Sequence, residues 1–168
     1  MKFVAFIPAR LESKRFPNKV LKLIFGIPMI EHVRRRAIIS NAFNDVFVAT
    51  DSKKIQDSLK RFNSKIVLTK KKHHNGTSRI SEISKKYNFD YAAILFADEP
   101  FINPKHLSYI VKKIPKMNNE KVINITTNLK KKDLNSKEVV KTIIDKNNYI
   151  IDYFRLKKKK ILKNYKKK

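Results

Sequence analysis

Four cations, Arg10, Lys14, Arg15 and Lys19, fall within ten residues directly behind a short apolar run, residues 3–8 (FVAFIP). A run of that length bounded by polar residues has the pattern of a buried strand. Ligands of open parallel α/β sheets sit outside the carboxyl ends of the strands, and the first such end often takes the phosphates of a nucleotide. Ammonium and guanidinium groups at that place can neutralise the β- and γ-oxygens of a triphosphate and hold the charge that develops as pyrophosphate departs. Composition alone fits a solvated basic loop equally well. Placement directly after a strand favours a polyphosphate loop.

Two further stretches could do chemistry with it. Asp98-Glu99 closes a near-continuous apolar run, residues 90–96, in a chain with only 14 acidic residues. Mg²⁺ prefers one or two carboxylates together with phosphate oxygens and waters, so Asp98 opposite a phosphate loop is a candidate metal ligand; the alternative is a capping or turn carboxylate. The third stretch is His73-His74-Asn75-Gly76-Thr77-Ser78-Arg79. Adjacent histidines diverge on an extended chain and have no zinc-ligand company, which points away from a metal and toward recognition of a base or sugar by hydrogen bonds. Gly76 is one of two glycines in the chain, which suggests a left-handed or closely approached backbone there. There is no glycine-rich loop of the Walker or G-x-G-x-x-G type, and no Ser-His-Asp or Cys-His set with interpretable spacing.

The elements that must position these residues alternate. The patterns predict strands over 3–8, 45–50, 64–68, 90–96 and 121–127, and helices over 28–40, 52–61, from 77 or 78 to 87, and 104–114. Pro28 suits a first helical turn, Asp51-Ser52 a helix N-cap, and Asn103-Pro104 a cap followed by Pro at the first position. Residues 139–144 and 149–154 flank Asp145-Lys146-Asn147-Asn148 and read as a hairpin. Strands alternating with helices imply a mostly parallel sheet with right-handed crossovers. The domain expected is 1–154, with 155–168 a basic, disordered tail.

The 168 residues are 42% hydrophobic, enough for one domain with its own core. No cysteine is present, which excludes disulfides and thiolate metal sites. No run of about 18 apolar residues is present, and a cytoplasmic protein is expected. The net charge of +26 raises nucleic-acid binding first. Yet 32 of the 40 basic residues are Lys, and Lys, Asn and Ile make up 68 of the 168, the bias that A/T-rich codons generate without selection for a ligand. Nine of the cations lie in 155–168, leaving 31 against 14 acids in 1–154. Specific nucleic-acid binding is therefore not expected.

The ordered residues Pro8-Ala9-Arg10, Ser13, Arg15, Pro17 and Lys19, followed by Gly26-x-Pro28-Met29-Ile30, resemble the sugar-acid cytidylyltransferases. Val48-Ala49-Thr50-Asp51, then Thr69, His73, Gly76-Thr77 and Arg79, then Asp98-Glu99-Pro100, are most similar to the subgroup acting on 3-deoxy-manno-octulosonate (Kdo). The resemblance covers about residues 2–155. It implies a three-layer, Rossmann-like α/β nucleotidyltransferase fold and a reaction of CTP with a Kdo-like sugar acid, giving a CMP-sugar and pyrophosphate for lipopolysaccharide or surface-glycan synthesis. It further implies Arg10, Arg15 and Lys19 on the triphosphate, with Ser13 in the same loop. Gly76, Thr77 and Arg79 would lie beside the cytosine, Mg²⁺ on Asp98, and Lys19, Arg10 and Asp98 in the catalytic role.

The departures are specific. Phe96-Ala97 stands where the family has Gln-Gly, removing an amide; Asn18 replaces a common Gly and Ser78 a common Glu. Members of the family are also longer. The expectation is thus a C-terminally shortened fold lacking the second metal carboxylate, part of the sugar-acid pocket and part of a homodimer interface, with the lysine-rich end a candidate frameshift product. The rival readings are a non-catalytic CTP-binding or regulatory remnant of the family and, further off, a nucleic-acid-binding module.

Overall fold

The computed structural model describes residues 1–12, 16–70, 73–117 and 122–155. The chain divides into two compact units, Met1–Asn118 and Asn119–Lys168, so the 1–154 domain of the sequence reading spans both.

In the first unit, β1 (Phe3–Ala9), β4 (Asp45–Thr50), β5 (Lys65–Leu68) and β6 (Tyr91–Ile94) form one sheet in the order β5-β4-β1-β6. Every pair in it is parallel, with Phe6 facing Phe47 on one side and Ile94 on the other. β1 is central and buried on both faces, as a near-continuous apolar run requires. Its alternate residues serve two cores. Ala5, Ile7 and Ala9 pack with Ile30, Val33 and Ala37 of α1 (Met29–Ile39), Ile55 and Leu59 of α2 (Lys53–Lys60), and Leu107 of α4 (Pro104–Lys113). Val4 and Phe6 pack with Phe47 and Ala49 of β4 and with Ile80 and Ile83 of α3 (Gly76–Ser84). The result is three layers, α1, α2 and α4 on one face of the parallel sheet and α3 on the other, as the sequence reading expects.

Local chemistry sets where the elements start. Ser52 caps α2 by accepting from the Ile55 N–H at 3.3 Å, and Asn103 caps α4 through the Lys105 N–H at 2.9 Å. Asn75 caps α3 through the Ser78 N–H at 2.8 Å, one or two residues ahead of the expected start. Pro28 is the residue before α1, closing a small ribbon of β2 (Leu23–Ile24) and β3 (Ile27–Pro28). The ribbon turns on Phe25 and Gly26, both left-handed at φ 46° and 73°; two-residue strands leave no period in a sequence. Inside α1, the fully buried Glu31 takes Arg34 at 2.7 and 2.9 Å and Arg35 at 2.9 Å, so its charge is paired and bonded.

In the second unit, β7 (Lys141–Ile144) and β8 (Ile150–Phe154) pair antiparallel as the expected hairpin. Asp145 holds its turn, accepting from the Asn147 and Tyr149 N–H groups at 2.9 and 2.8 Å. The strand expected over 121–127 does not form among its described residues, 122–127, where Val122 and Ile125 are exposed. Its alternation suits a strand, but a strand exists only where a neighbour takes its backbone hydrogen bonds. The tail beyond Arg155 lies outside the described residues.

Candidate functional site

A cleft of about 570 Å³ opens at the carboxyl ends of the first unit's strands. Pro8, Ala9 and Arg10 enter it from the end of β1, and Phe96, Ala97 and Asp98 from the segment after β6. Glu12, Lys19 and Val20 come from the β1–β2 connection, and His73 to Gly76 with Arg79 from the start of α3. The sheet order explains the convergence, because β1 and β6 are hydrogen-bonded neighbours whose ends lie side by side.

Lys19 and Asp98 are 79 residues apart in sequence, and Lys19 Nζ donates to Asp98 Oδ2 at 2.8 Å. Both side chains remain substantially exposed, at 36% and 48%, so each is open to exchange its partner for a ligand. The chain reaches Lys19 through Asn18, which is left-handed at φ 55° and whose N–H bonds the Leu11 carbonyl at 3.2 Å. Asn is among the few residues that tolerate this conformation, which accounts for Asn at a position where the resembling sequences carry Gly. Arg10 lines the cleft, is exposed, and makes no hydrogen bond or ion pair with any described residue. Ser13 and Arg15 lie outside the described residues. Beside Asp98, the Glu99 carboxyl is held above its usual range, first by desolvation and second by the Asp98 charge.

On the opposite wall, Gly76 is a close-approach glycine and not a left-handed one. A Cβ there would lie 2.9 Å from Pro8 Cγ and 3.3 Å from Pro8 Cβ, so glycine lets α3 begin against the end of β1. Thr77 is exposed in the first turn and is not among the cleft residues. Arg79 borders the cleft but is 4% exposed, with its guanidinium bound to Asp51 at 3.3 Å and to the Thr69 hydroxyl. Asp51 therefore clamps Arg79 at the end of β4 instead of capping α2. Sequence reasoning missed that role, although a carboxylate at a strand's carboxyl end was a usable signal. It also missed Glu82 on α3, which accepts from His73 Nε2 at 2.7 Å and from the Lys70 N–H at 3.2 Å. Desolvation alone would raise the Glu82 carboxyl, but these two hydrogen bonds and the neighbouring charges outweigh it and hold the group below its usual range.

Exposed cations on one wall, a carboxylate across from them and a polar loop opposite make an arrangement that suits a polyanion with a metal counterion and a polar head group. Among the described residues, no group of three or more His, Asp or Glu could hold a metal unaided. A single carboxylate fits Mg²⁺ when phosphate oxygens and waters complete the shell. Among the described residues no helix is long and apolar enough to cross a membrane.

Known proteins resemble this chain in sequence and in fold. The 3-deoxy-manno-octulosonate cytidylyltransferase of Fusobacterium nucleatum is 37% identical over 161 residues, covering 92% of this chain and 64% of that protein. The enzyme of the same name from Francisella tularensis subsp. holarctica is 35% identical over 153 residues, covering 89% and 61%. The solved structure of a CMP:2-keto-3-deoxy-manno-octonic acid synthetase complexed with CTP superposes with a TM-score of 0.82 at 28% identity, covering 93% of this chain and 65% of that one. This chain thus spans a little under two thirds of the length of these relatives. The family profile described as Cytidylyltransferase matches residues 4–165, and the chain belongs to the cytidylyltransferase family.

Proposed function

We propose that the chain transfers CMP from CTP to a Kdo-like sugar acid, releasing pyrophosphate and supplying an activated sugar for lipopolysaccharide or surface glycan. The observation that carries this reading is the meeting of Lys19 and Asp98 at 2.8 Å in a cleft that Arg10 also lines. In the free protein the two charges satisfy each other; a triphosphate draws Lys19 away and frees Asp98. The 3-deoxy-manno-octulosonate cytidylyltransferases among its relatives support Kdo as acceptor, and the related synthetase complexed with CTP supports CTP as donor.

In the transfer, the sugar hydroxyl oxygen forms a bond to the α-phosphorus, the bond from that phosphorus to the bridging oxygen breaks, and the hydroxyl proton passes to solvent or a phosphate oxygen. Arg10 and Lys19 hold the β- and γ-phosphates and stabilise the charge that gathers on pyrophosphate. Holding donor and acceptor in line supplies much of the remaining barrier reduction. Asp98 would hold Mg²⁺, which when bound neutralises phosphate charge. The loop from His73 to Gly76 forms the wall against which the nucleoside lies, and Arg79, clamped by Asp51, keeps the start of α3 in register with it.

The test is calorimetric titration with CTP and Mg²⁺, followed by pyrophosphate release on adding Kdo. Wild-type protein should bind and turn over, and Asp98→Ala should weaken Mg²⁺-dependent CTP binding at least about tenfold, the scale of losing one charged contact. CTP binding without pyrophosphate release would identify a nucleotide-binding protein that does not catalyse. Failure to bind CTP, with tight and steeply salt-dependent RNA binding instead, would overturn the reading.

A further inference from the structure

Glu82 is the feature that the proposed transfer leaves unused. It is on the second turn of α3, six residues beyond Gly76, and it is not among the residues that line the cleft. Its carboxylate nevertheless gathers two groups from the segment leading into the cleft wall. The Lys70 N–H reaches its two oxygens at 3.3 and 3.2 Å, and His73 Nε2 lies 2.7 Å from Oε2. An ionised carboxylate can only accept, so the His73 proton sits on Nε2 and the ring is fixed in orientation. His73 Nδ1 then lies 3.3 Å from Ser78 Oγ, whose one hydroxyl proton serves either Nδ1 or the Asn75 carbonyl at 3.0 Å. Together with the Asn75 cap on the Ser78 N–H, these contacts run in a chain from Glu82 through His73 and Ser78 to Asn75. The His73 and Glu82 side chains are only 11% and 24% exposed, which shields the contact from competing water.

We infer that Glu82 is a positioning residue for nucleotide binding: it sets the cleft wall formed by His73 to Gly76 by holding both Lys70 and His73 on α3. The inference rests on the proposal that CTP occupies this cleft, but it predicts a division of labour that the proposal does not. The cation side, Arg10 and Lys19, is on the β1–β2 connection and makes no hydrogen bond or ion pair with Glu82, whose described partners are Lys70 and His73. Loss of the Glu82 carboxylate should therefore loosen the wall against the nucleoside and leave the phosphate side intact.

The experiment uses the full chain with two ligands, CTP and inorganic tripolyphosphate, both with Mg²⁺, titrated into wild type, Glu82→Ala and Glu82→Gln. The expected result is about a tenfold weaker Kd for CTP in Glu82→Ala, with tripolyphosphate unchanged within about twofold. Glu82→Gln keeps one acceptor oxygen and should fall between. Unchanged CTP affinity in Glu82→Ala, or an equal loss for both ligands, would overturn the inference. Amide hydrogen exchange without ligand separates it from the CTP reading. Exchange at residues 73–78 should rise at least about tenfold in both variants, more in Ala than in Gln, while β1 stays protected. An unchanged rate at 73–78 overturns the positioning role even if CTP binds, whereas a raised rate in a protein that binds no CTP shows that Glu82 holds the wall and that the CTP reading is what fails.

Discussion

Replacing Gly76 by Ala tests how the cleft is built. The new Cβ would sit 2.9 Å from Pro8 Cγ, closer than carbon atoms tolerate, and 3.3 Å from Pro8 Cβ, a tight contact. Neither side can yield cheaply. Pro8 is a ring with few alternative shapes on the central strand, in register with Ala49 of β4, and Gly76 opens a helix anchored by the Asn75 cap and by buried Ile80 and Ile83. Overpacking of this kind costs about 1–3 kcal/mol. Better helix propensity returns at most about 1 kcal/mol, and less at a first-turn position. Gly76 is not at positive φ, so no left-handed penalty enters, and the net expectation is a loss of about 1–2 kcal/mol. The assay is urea unfolding with linear extrapolation on wild type, Gly76→Ala, Pro8→Ala and the double variant. Removing the ring deletes the 2.9 Å partner, so the double variant should recover at least about 1 kcal/mol relative to the sum of the single changes. Additive effects, or a Gly76→Ala protein as stable as wild type, would refute close approach as the reason for this glycine.

Two further outcomes follow from the same physics. Phe25 turns the β2–β3 ribbon at φ 46° while 98% exposed, so its ring gains no burial to offset a conformation that Asn tolerates far better; Phe25→Asn should raise stability by about 1 kcal/mol, and a lower urea midpoint would count against it. The raised Glu99 carboxyl fixes the sign of a pH effect. Above its folded value Glu99 is ionised in both states and its desolvation costs stability. As pH falls through that value toward the ordinary 4.5, the native state binds the proton first and stability recovers. Glu99→Gln should therefore be more stable than wild type at neutral pH, with the gap closing in acid; a gap that is flat or widens there would be contrary.

Much of the fold was legible because strand and helix periods are strong over long elements. β1, β4 and β6 are apolar runs ending in polar groups, and α1, α2 and α4 carry spaced apolar residues with a Pro, Ser or Asn at the start, so their order and approximate bounds could be read directly. What could not be read depends on partners remote in sequence. Residues 122–127 alternate like a strand, yet the pattern is silent on whether a neighbour exists. The Phe25-Gly26 ribbon is too short to show a period, and Phe is a poor advertisement for a left-handed turn.

The site divides along the same line. Arg10, Lys19, Gly76 and Asp98 could be named from type and position, because each stands at a strand end or is scarce in this composition, and the structure brings all four to one cleft. Arg79 shows the limit. Its place in the resembling pattern suggests a group presented to the nucleotide, and the structure shows a guanidinium that borders the cleft, is 4% exposed and is bound to Asp51 and Thr69. These bonds tie α3 to the ends of β4 and β5, a role that a list of motif residues cannot distinguish from direct contact. Glu82 makes the same point from the other side, since it belongs to no motif and yet holds His73. Cations that touch a ligand must stay exposed and can be recognised by charge in a sequence; the carboxylates that hold the walls must be paired, and pairing appears only when the chain is folded.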